Sequence, residues 1–324
     1  MKKRVLTGSV ILIAVVLFFL SRMLTPYIFD CFIALCGIVA CIEIAQIQNK
    51  AGKYVNIALV CTMPITILVG TIIGILNKRG FAYYLVYVLC LIIFYFILAF
   101  IFALITKKDS LKELHMSRKT YGLAKYSVIK ALRTVFLFIY PTFFFASFYF
   151  INHFAEFSDI VSKYGTGTTD NPAINVSLFA TFILIFVFVC TMLTDTFAML
   201  SGMLFKGKKL CPKISPKKTI SGAIGGLVMA IIGTLCLFLI FDTNPDFSAV
   251  YEKINFSAFK VILLALFGSV VSQCGDIFES FLKRKADVKD SGNILPGHGG
   301  IMDRMDGICF NALYSFIFIS LLFI

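Results

Sequence analysis

The sequence predicts an all-α, polytopic integral membrane protein, and three observations lead there. Its 324 residues are 59% hydrophobic and only 15% charged, with 36 phenylalanines, and the mean hydropathy is +0.93, far from the composition of a soluble globule. The apolar residues gather in runs about 20 long, the length a helix needs to cross a hydrocarbon core about 30 Å thick. Inside a bilayer each backbone polar group must be satisfied within the protein, so runs of this length are helices.

Nine runs qualify. The first, residues 5 to 21, follows a basic start and resembles a secretory signal, but "FFLSRMLTPY" offers no small-x-small cleavage site, so it reads as a retained span. The next four lie near residues 27 to 47, 54 to 76, 81 to 106 and 130 to 151. With their loops these five make an N-terminal region, residues 1 to 170. The last four lie near residues 175 to 203, 220 to 241, 257 to 282 and 308 to 324, in a second region, residues 171 to 324, that holds nearly all of the chemistry.

Nine spans put the two termini on opposite sides. With the N-terminus cytoplasmic, 24 of the 30 lysines and arginines fall in inner segments, from Lys2 to Arg304. Five fall in outer loops (Arg22, Lys78, Arg79, Lys163 and Lys253), and Lys260 lies within the eighth span. This asymmetry predicts the orientation. It also explains the net charge of +13 by attraction to anionic headgroups and phosphates, and nucleic acid is not expected as a partner. The ten cysteines form no Cys-x-x-Cys pair and include Cys36, Cys41, Cys90 and Cys236 within spans, so neither a disulfide framework nor a zinc site is indicated. Of three histidines, His115 and His153 sit in loops without partners, where a surface role is expected; His298 alone has polar company.

Three features converge at the inner edge. Asp195 lies near the end of the sixth span, Asp276 near the end of the eighth, and between the last two spans runs "KRKADVKDSGNILPGHGGIMDRMDG", residues 283 to 307. Asp276, Ser280 and Lys283 share a helical face, as do Asp303 and Asp306 if the ninth span begins early. Carboxylates at a membrane edge are costly unless paired or bound to a cation. Hard carboxylate oxygens suit Mg²⁺ shared with substrate phosphates, Lys and Arg clamp the remaining phosphate charge, and a glycine-rich turn lets backbone amides approach an anion. The parts describe a phosphoryl-group site at the headgroup level. A second basic stretch, "KGKKLCPKISPKKTISGAIGG", residues 206 to 226, leads a loop into the seventh span. There Thr219 would cap the helix, Pro216 would fix the turn, and the helix N-terminus would attract phosphate. Gly222 and Gly226 form a small-xxx-small pair suited to helix packing. Each residue alone also has a structural reading: Asp276 paired with Lys283, Asp306 with Arg304, His298 shaping a turn.

Residues 280 to 306, reading S-F-L-K-R-x4-K-D-S-G-N-I-L-P-G-H-G-G-I-M-D-R-M-D, resemble the signature of the phosphatidate cytidylyltransferases, also called CDP-diacylglycerol synthases. "GDIFES" (residues 275 to 280) and "ISPKKTISGAIGG" (residues 214 to 226) resemble further family segments in the same order. The resemblance covers residues 195 to 307; residues 1 to 170 match only as apolar spans. It departs where the family usually has a tyrosine at Met199, an arginine at Met203, and a Gly-Lys pair near Lys206 and Gly207, here reversed.

The resemblance implies an enzyme that converts CTP and phosphatidate to CDP-diacylglycerol and pyrophosphate with Mg²⁺. It implies cation binding by Asp276 and Asp303, with Asp306 and Asp195 as further candidates and room for a second cation. Ser215, Lys217, Lys218 and Thr219 would hold nucleotide phosphates; Lys283, Arg284, Lys289, His298 and Arg304 would contact either substrate. The expected location is the bacterial inner membrane, with the site facing the cytoplasm. The N-terminal spans would gate lipid access, form a homodimer contact, or both. Two alternatives are weighed. A CTP-dependent lipid kinase of the polyprenol or phytol type would transfer the γ-phosphoryl group, but the full "HGGIMDRMD" ending argues against it. An ion-coupled transporter would place charges near mid-span and repeat itself between halves; Asp30 and Glu43 are the only early candidates and read as interfacial.

Overall fold

A computed structural model describes residues 16–17, 19–22, 25–53, 55–105, 123–157, 173–295 and 299–323. Most of the first run, together with His115, His298 and the greater part of the outer loop after residue 157, lies outside the described residues. Within them the chain is helical, with α1 Pro26–Lys50, α2 Ile57–Leu76, α3 Phe81–Ile105 and α4 Leu123–Leu137, which runs through a π-helical turn into α5 Phe144–Asn152. Then follow α6 Ala173–Phe205, strands β1 Lys209–Cys211 and β2 Ser215–Thr219, α7 Ile220–Asp242, the short α8 Pro245–Lys253, α9 Ala258–Lys285 and α10 Met302–Phe323. Eight helical stretches, counting α4 to α5 as one, are long and apolar enough to cross a membrane, so the fold is an all-α polytopic membrane protein.

Local chemistry sets the boundaries. Thr25 caps α1, accepting from the Tyr27 amide ahead of Pro26 in the first turn, and Asn56 caps α2, each satisfying an amide that has no intrahelical partner. The run at residues 130 to 151 is two helices rather than one. Pro141 has no N–H, and Tyr140 before it is extended at φ −126°, ψ 116°, because a residue preceding proline is driven out of the helical region. Thr142 Oγ1 donates to the Leu137 carbonyl at 3.0 Å, capping an acceptor at the break. The last span starts at Met302, six residues earlier than its apolar run, so Asp303 and Asp306 do share its first turns. The basic stretch expected as a loop is a small antiparallel hairpin in which Cys211 pairs with Ser215 and Lys209 with Thr219; Pro216 lies in strand β2.

At 33 residues, α6 spans about 50 Å, more than a hydrocarbon core, so one end projects beyond it. It packs on α7 through glycines: a Cβ on Gly222 would meet the Ala198 carbonyl at 2.5 Å, and one on Gly226 would lie 3.1 Å from Ala198 Cβ. Backbones approach this closely where side chains are small. Polar bonds knit α6 to α9 and α10: Thr194 Oγ1 to Ser269 Oγ at 2.9 Å, and Asn311 Nδ2 to the Val187 carbonyl at 3.2 Å and Thr191 Oγ1 at 3.1 Å. Toward the other end of α6, Phe179 and Phe182 pack with Phe238, Phe247 and Phe256, ring centroids 5.2 Å apart for Phe182 and Phe247.

The expected surface role of His153 is overturned. His153 is fully buried after α5 and bonded through Nε2 to Asp30 and through Nδ1 to Glu156 at 2.9 Å. Asp30, read as interfacial, is equally buried and accepts from Asn152 Nδ2 at 2.9 Å, while Arg22 Nε donates to Asn152 Oδ1 at 2.7 Å. Burial opposes a charged His153 ring, but the two carboxylates outweigh it and push its pKa from the ordinary 6.5 up to about 9. A group raised on folding contributes stability that is full below its unfolded pKa and is lost as pH rises through the folded one. The thermal midpoint of the detergent-solubilised protein should therefore exceed that of Asp30→Asn at about pH 6, and the gap should shrink as the pH rises through about 9. A gap independent of pH would disprove the assignment.

Candidate active site

The C-terminal ends of α6 and α9 and the N-terminal ends of α7 and α10, with the hairpin, enclose a cleft of about 1000 Å³. Asp195 of α6, Asp276 of α9, and Asp303 and Asp306 of α10 line it, opposite Lys206, Lys209, Lys217, Lys218, Lys283 and Arg304. Residues from four helices thus meet as the sequence order implies, with both signs of charge on one concave surface.

Each carboxylate has its own setting. Half-exposed Asp276 receives Lys218 Nζ on Oδ2 at 2.6 Å, a contact between α9 and the hairpin. Lys283, nearly buried, bonds Glu279 one turn back on its own helix and Asp303 Oδ1 at 2.6 Å, joining α9 to α10. The second oxygen of Asp303 accepts the Ser291 amide at 2.8 Å, the Ser291 hydroxyl at 3.0 Å and the Gly300 amide at 2.8 Å. Asp303 therefore sits at the start of α10, where exposed amides and the helix dipole favour an anion. Asp306, one turn on, is buried and accepts from the Gly307 amide at 2.8 Å. Asp276 and Lys283 stand on one face of α9, as expected, but they do not pair with each other: Lys218 holds Asp276, and Lys283 holds Glu279 and Asp303. Among the described residues no three His, Cys, Asp or Glu side chains converge into a ready metal cage.

The basic side divides into two. Lys217 and Lys218 leave β2 beside the cleft, and Thr219 caps α7, its Oγ1 accepting from the Gly222 amide at 3.1 Å. Ser215, at the far end of β2, is not part of the lining, and neither are exposed Arg284 and Lys289. Arg284 instead donates to the Val288 carbonyl at 3.3 Å. Met199, Met203, Lys206 and Gly207, the positions at which the sequence resemblance breaks, all line the cleft. Lys206 follows the last residue of α6 with φ 44°, a left-handed helix-end position where glycine has no steric cost. Lysine holds that position, and Gly207 next to it donates its amide to Ser221 Oγ at 3.2 Å.

Three residues of the site escaped the sequence reading. Glu279 could have been found, standing three residues after Asp276 and four before Lys283 on one helical face; it is fully buried and, among the described residues, its Oε1 has no hydrogen-bond partner. Ser291 lay within the signature without an assigned role. Glu43, from α1, was read as interfacial but is buried and accepts the amides of Ile301 at 3.0 Å and Met302 at 2.8 Å, a contact that nothing local to residue 43 signals.

The chain matches the cytidylyltransferase family over residues 2–322. It is 42% identical over 137 residues to a phosphatidate cytidylyltransferase of Rickettsia conorii, covering 41% of this chain and 56% of that one. A Rickettsia felis protein of the same name is 42% identical over 142 residues, 43% of this chain and 59% of that one. One from Brucella abortus is 39% identical over 135 residues, 42% and 46% of the two chains. The chain thus spans about half the length of these curated relatives.

Replacing Lys283 with methionine would leave Glu279 and Asp303 facing each other without a counter-ion. Breaking a buried pair in this way costs about 3–5 kcal/mol, to be read as a lowered thermal midpoint in detergent. Adding Glu279→Gln should restore part of the loss. A Lys283→Met protein as stable as wild type would show that the pairing contributes little.

Proposed function

Since the chain belongs to the cytidylyltransferase family, we propose that it transfers the cytidylyl group of CTP to phosphatidate, giving CDP-diacylglycerol and pyrophosphate. The observation that carries the reading is the cleft in which Asp195, Asp276, Asp303 and Asp306 face six basic side chains at the end of the bundle. A phosphate-monoester oxygen of the lipid attacks the α-phosphorus of CTP, a new P–O bond forms, and the bond to the β-phosphate breaks as pyrophosphate leaves. Such chemistry asks for alignment and charge neutralisation and little covalent help. Lys217 and Lys218 hold the nucleotide phosphates, Lys283 and Arg304 steady charge on the reacting groups, and Asp303 orients Lys283 from the helix start. A site at the end of membrane helices lets the lipid headgroup enter while its acyl chains stay in the bilayer. The lysine and arginine asymmetry of the loops supports a cytoplasmic position for this end.

The donor set fits Mg²⁺, which needs only one or two carboxylates beside water and substrate phosphates. Asp276 and Asp303 each hold a lysine ammonium at 2.6 Å, so a cationic group already occupies the position beside each carboxylate. These two, with Asp195 and Asp306 behind them, would hold the ion, which would neutralise triphosphate charge.

The test is product analysis with purified protein, phosphatidate, Mg²⁺ and CTP labelled at the α- or γ-phosphorus, beside Asp276→Asn. Label from the α position should enter a CDP-lipid, with turnover falling at least about a hundredfold in the variant. Lipid labelled from the γ position would instead make the protein a lipid kinase, and absence of any transfer would reject the reading.

A further inference from the structure

Glu43 lies in α1, in the region the signature does not reach, yet it is among the most completely engaged carboxylates of the fold. It is 2% exposed. Its Oε1 accepts the Ile301 amide at 3.0 Å, and its Oε2 accepts the Met302 amide at 2.8 Å and the Ser291 hydroxyl at 3.0 Å. The Ser291 hydroxyl is also 3.0 Å from Asp303 Oδ2, and its single proton serves one carboxylate at a time. The crevice is cut to size by glycine: a Cβ on Gly292 or Gly300 would lie 2.5 Å from Glu43 Oε1.

A buried carboxylate is expensive unless its acceptors are filled. No lysine, arginine or histidine forms an ion pair with Glu43 among the described residues; the donors are the first amides of α10 and one hydroxyl of the loop before it. Those same elements carry Asp303, whose Oδ1 holds Lys283. Glu43 therefore grips the segment that fixes the lysine and carboxylate of the cleft without lining the cleft itself.

We infer that Glu43 is a positioning residue for the reaction, holding Ser291 and the first turn of α10 so that Asp303 and Lys283 face the substrates. The N-terminal region is then part of the catalytic apparatus rather than only a lipid gate or an oligomer contact. Glutamine cannot replace it. Whichever way the amide is turned, its NH₂ meets a backbone donor, and leaving buried donors unmatched is costly.

The inference rests on cytidylyl transfer for its activity readout, so one arm of the test does not use activity. In Glu43→Gln, turnover per folded molecule should fall about 10- to 100-fold, as for other partners that orient ligand side chains. KM for CTP should change little, because Lys217 and Lys218 stand on the separate hairpin. Hydrogen exchange at the Ile301 and Met302 amides should quicken about tenfold or more. Gly292→Ala should lower turnover in the same way, and combining it with Glu43→Asp, one methylene shorter, should recover part of that loss. If Glu43→Gln does not fold, Ser291→Ala and Gly292→Ala carry both arms. Faster exchange with unchanged turnover would make Glu43 a purely structural anchor and overturn the inference, as would unchanged exchange in a folded variant. A wild-type protein that forms no CDP-lipid would reject the proposed function, and the exchange arm alone would then decide whether Glu43 holds the loop.

Discussion

The start of α10 is held by two carboxylates at once, Glu43 from below and Asp303 from within its own first turn. The helix start carries a partial positive charge: Glu43 takes the Ile301 and Met302 amides there, while Asp303 takes the Ser291 and Gly300 amides of the loop just before it. The remaining negative charge is met by Lys283, which ties α10 to α9. Asp306 then follows one turn along α10, and the cleft acquires its acidic wall from geometry already fixed. Without that double cap, Asp303 and Lys283 would have no common frame, and the Lys283 that also serves the buried Glu279 would lose its second carboxylate.

The bilayer decides where such chemistry can stand. Within the hydrocarbon region the helices meet through glycine, Thr194, Ser269 and Asn311, groups small or neutral enough to be satisfied by a neighbouring helix. Ionisable groups collect near the two ends of the bundle. Along α1, Asp30 near the start joins His153, and Glu43, thirteen residues later, joins the α10 cap; at 1.5 Å per residue these lie about 20 Å apart. One helix thus anchors a polar cluster at one end and the start of α10, which borders the cleft, at the other. The break at Tyr140 and Pro141 is tolerated because Thr142 and the surrounding helices re-satisfy what the proline frees.

Much of this was legible in the sequence because it is local. Run length gave the helices to within a few residues where they are described, and the spacing of Asp276 with Lys283 placed both on one face of α9. Contacts between distant segments were not legible in the same way. Lys218 and Asp276 lie 58 positions apart, and no periodicity within α9 or the short strand β2 says that the hairpin reaches across. Glu43 meets residues about 250 positions away, and His153 was misread because its partner Asp30 belongs to a different helix. The early start of α10 was hidden by its polar first turns, which stabilise the helix by their charge while lowering the apolar signal that marks a span. The hairpin was missed because its short strands are too polar for an alternation pattern to register.

The charges of the cleft argue for what it receives. Six basic and four acidic side chains line it, a formal surplus of two positive charges, too small to neutralise a nucleoside triphosphate together with a phosphate-monoester lipid. The divalent cation proposed above would supply what is missing, in keeping with the pairing of Asp276 and Asp303 to lysines. Lys218 and Lys283, held by Asp276 and Asp303 in this structure, would be available to the phosphates of the proposed substrates, and a cation would supply the charge neutralisation those carboxylates then lack. Lys206 adds a cation to the cleft from a backbone position, φ 44°, that would otherwise favour glycine. Charge at this site is therefore carried chiefly by groups fixed on α9, α10 and the hairpin, and Glu43 governs how rigidly the α10 share of it is presented.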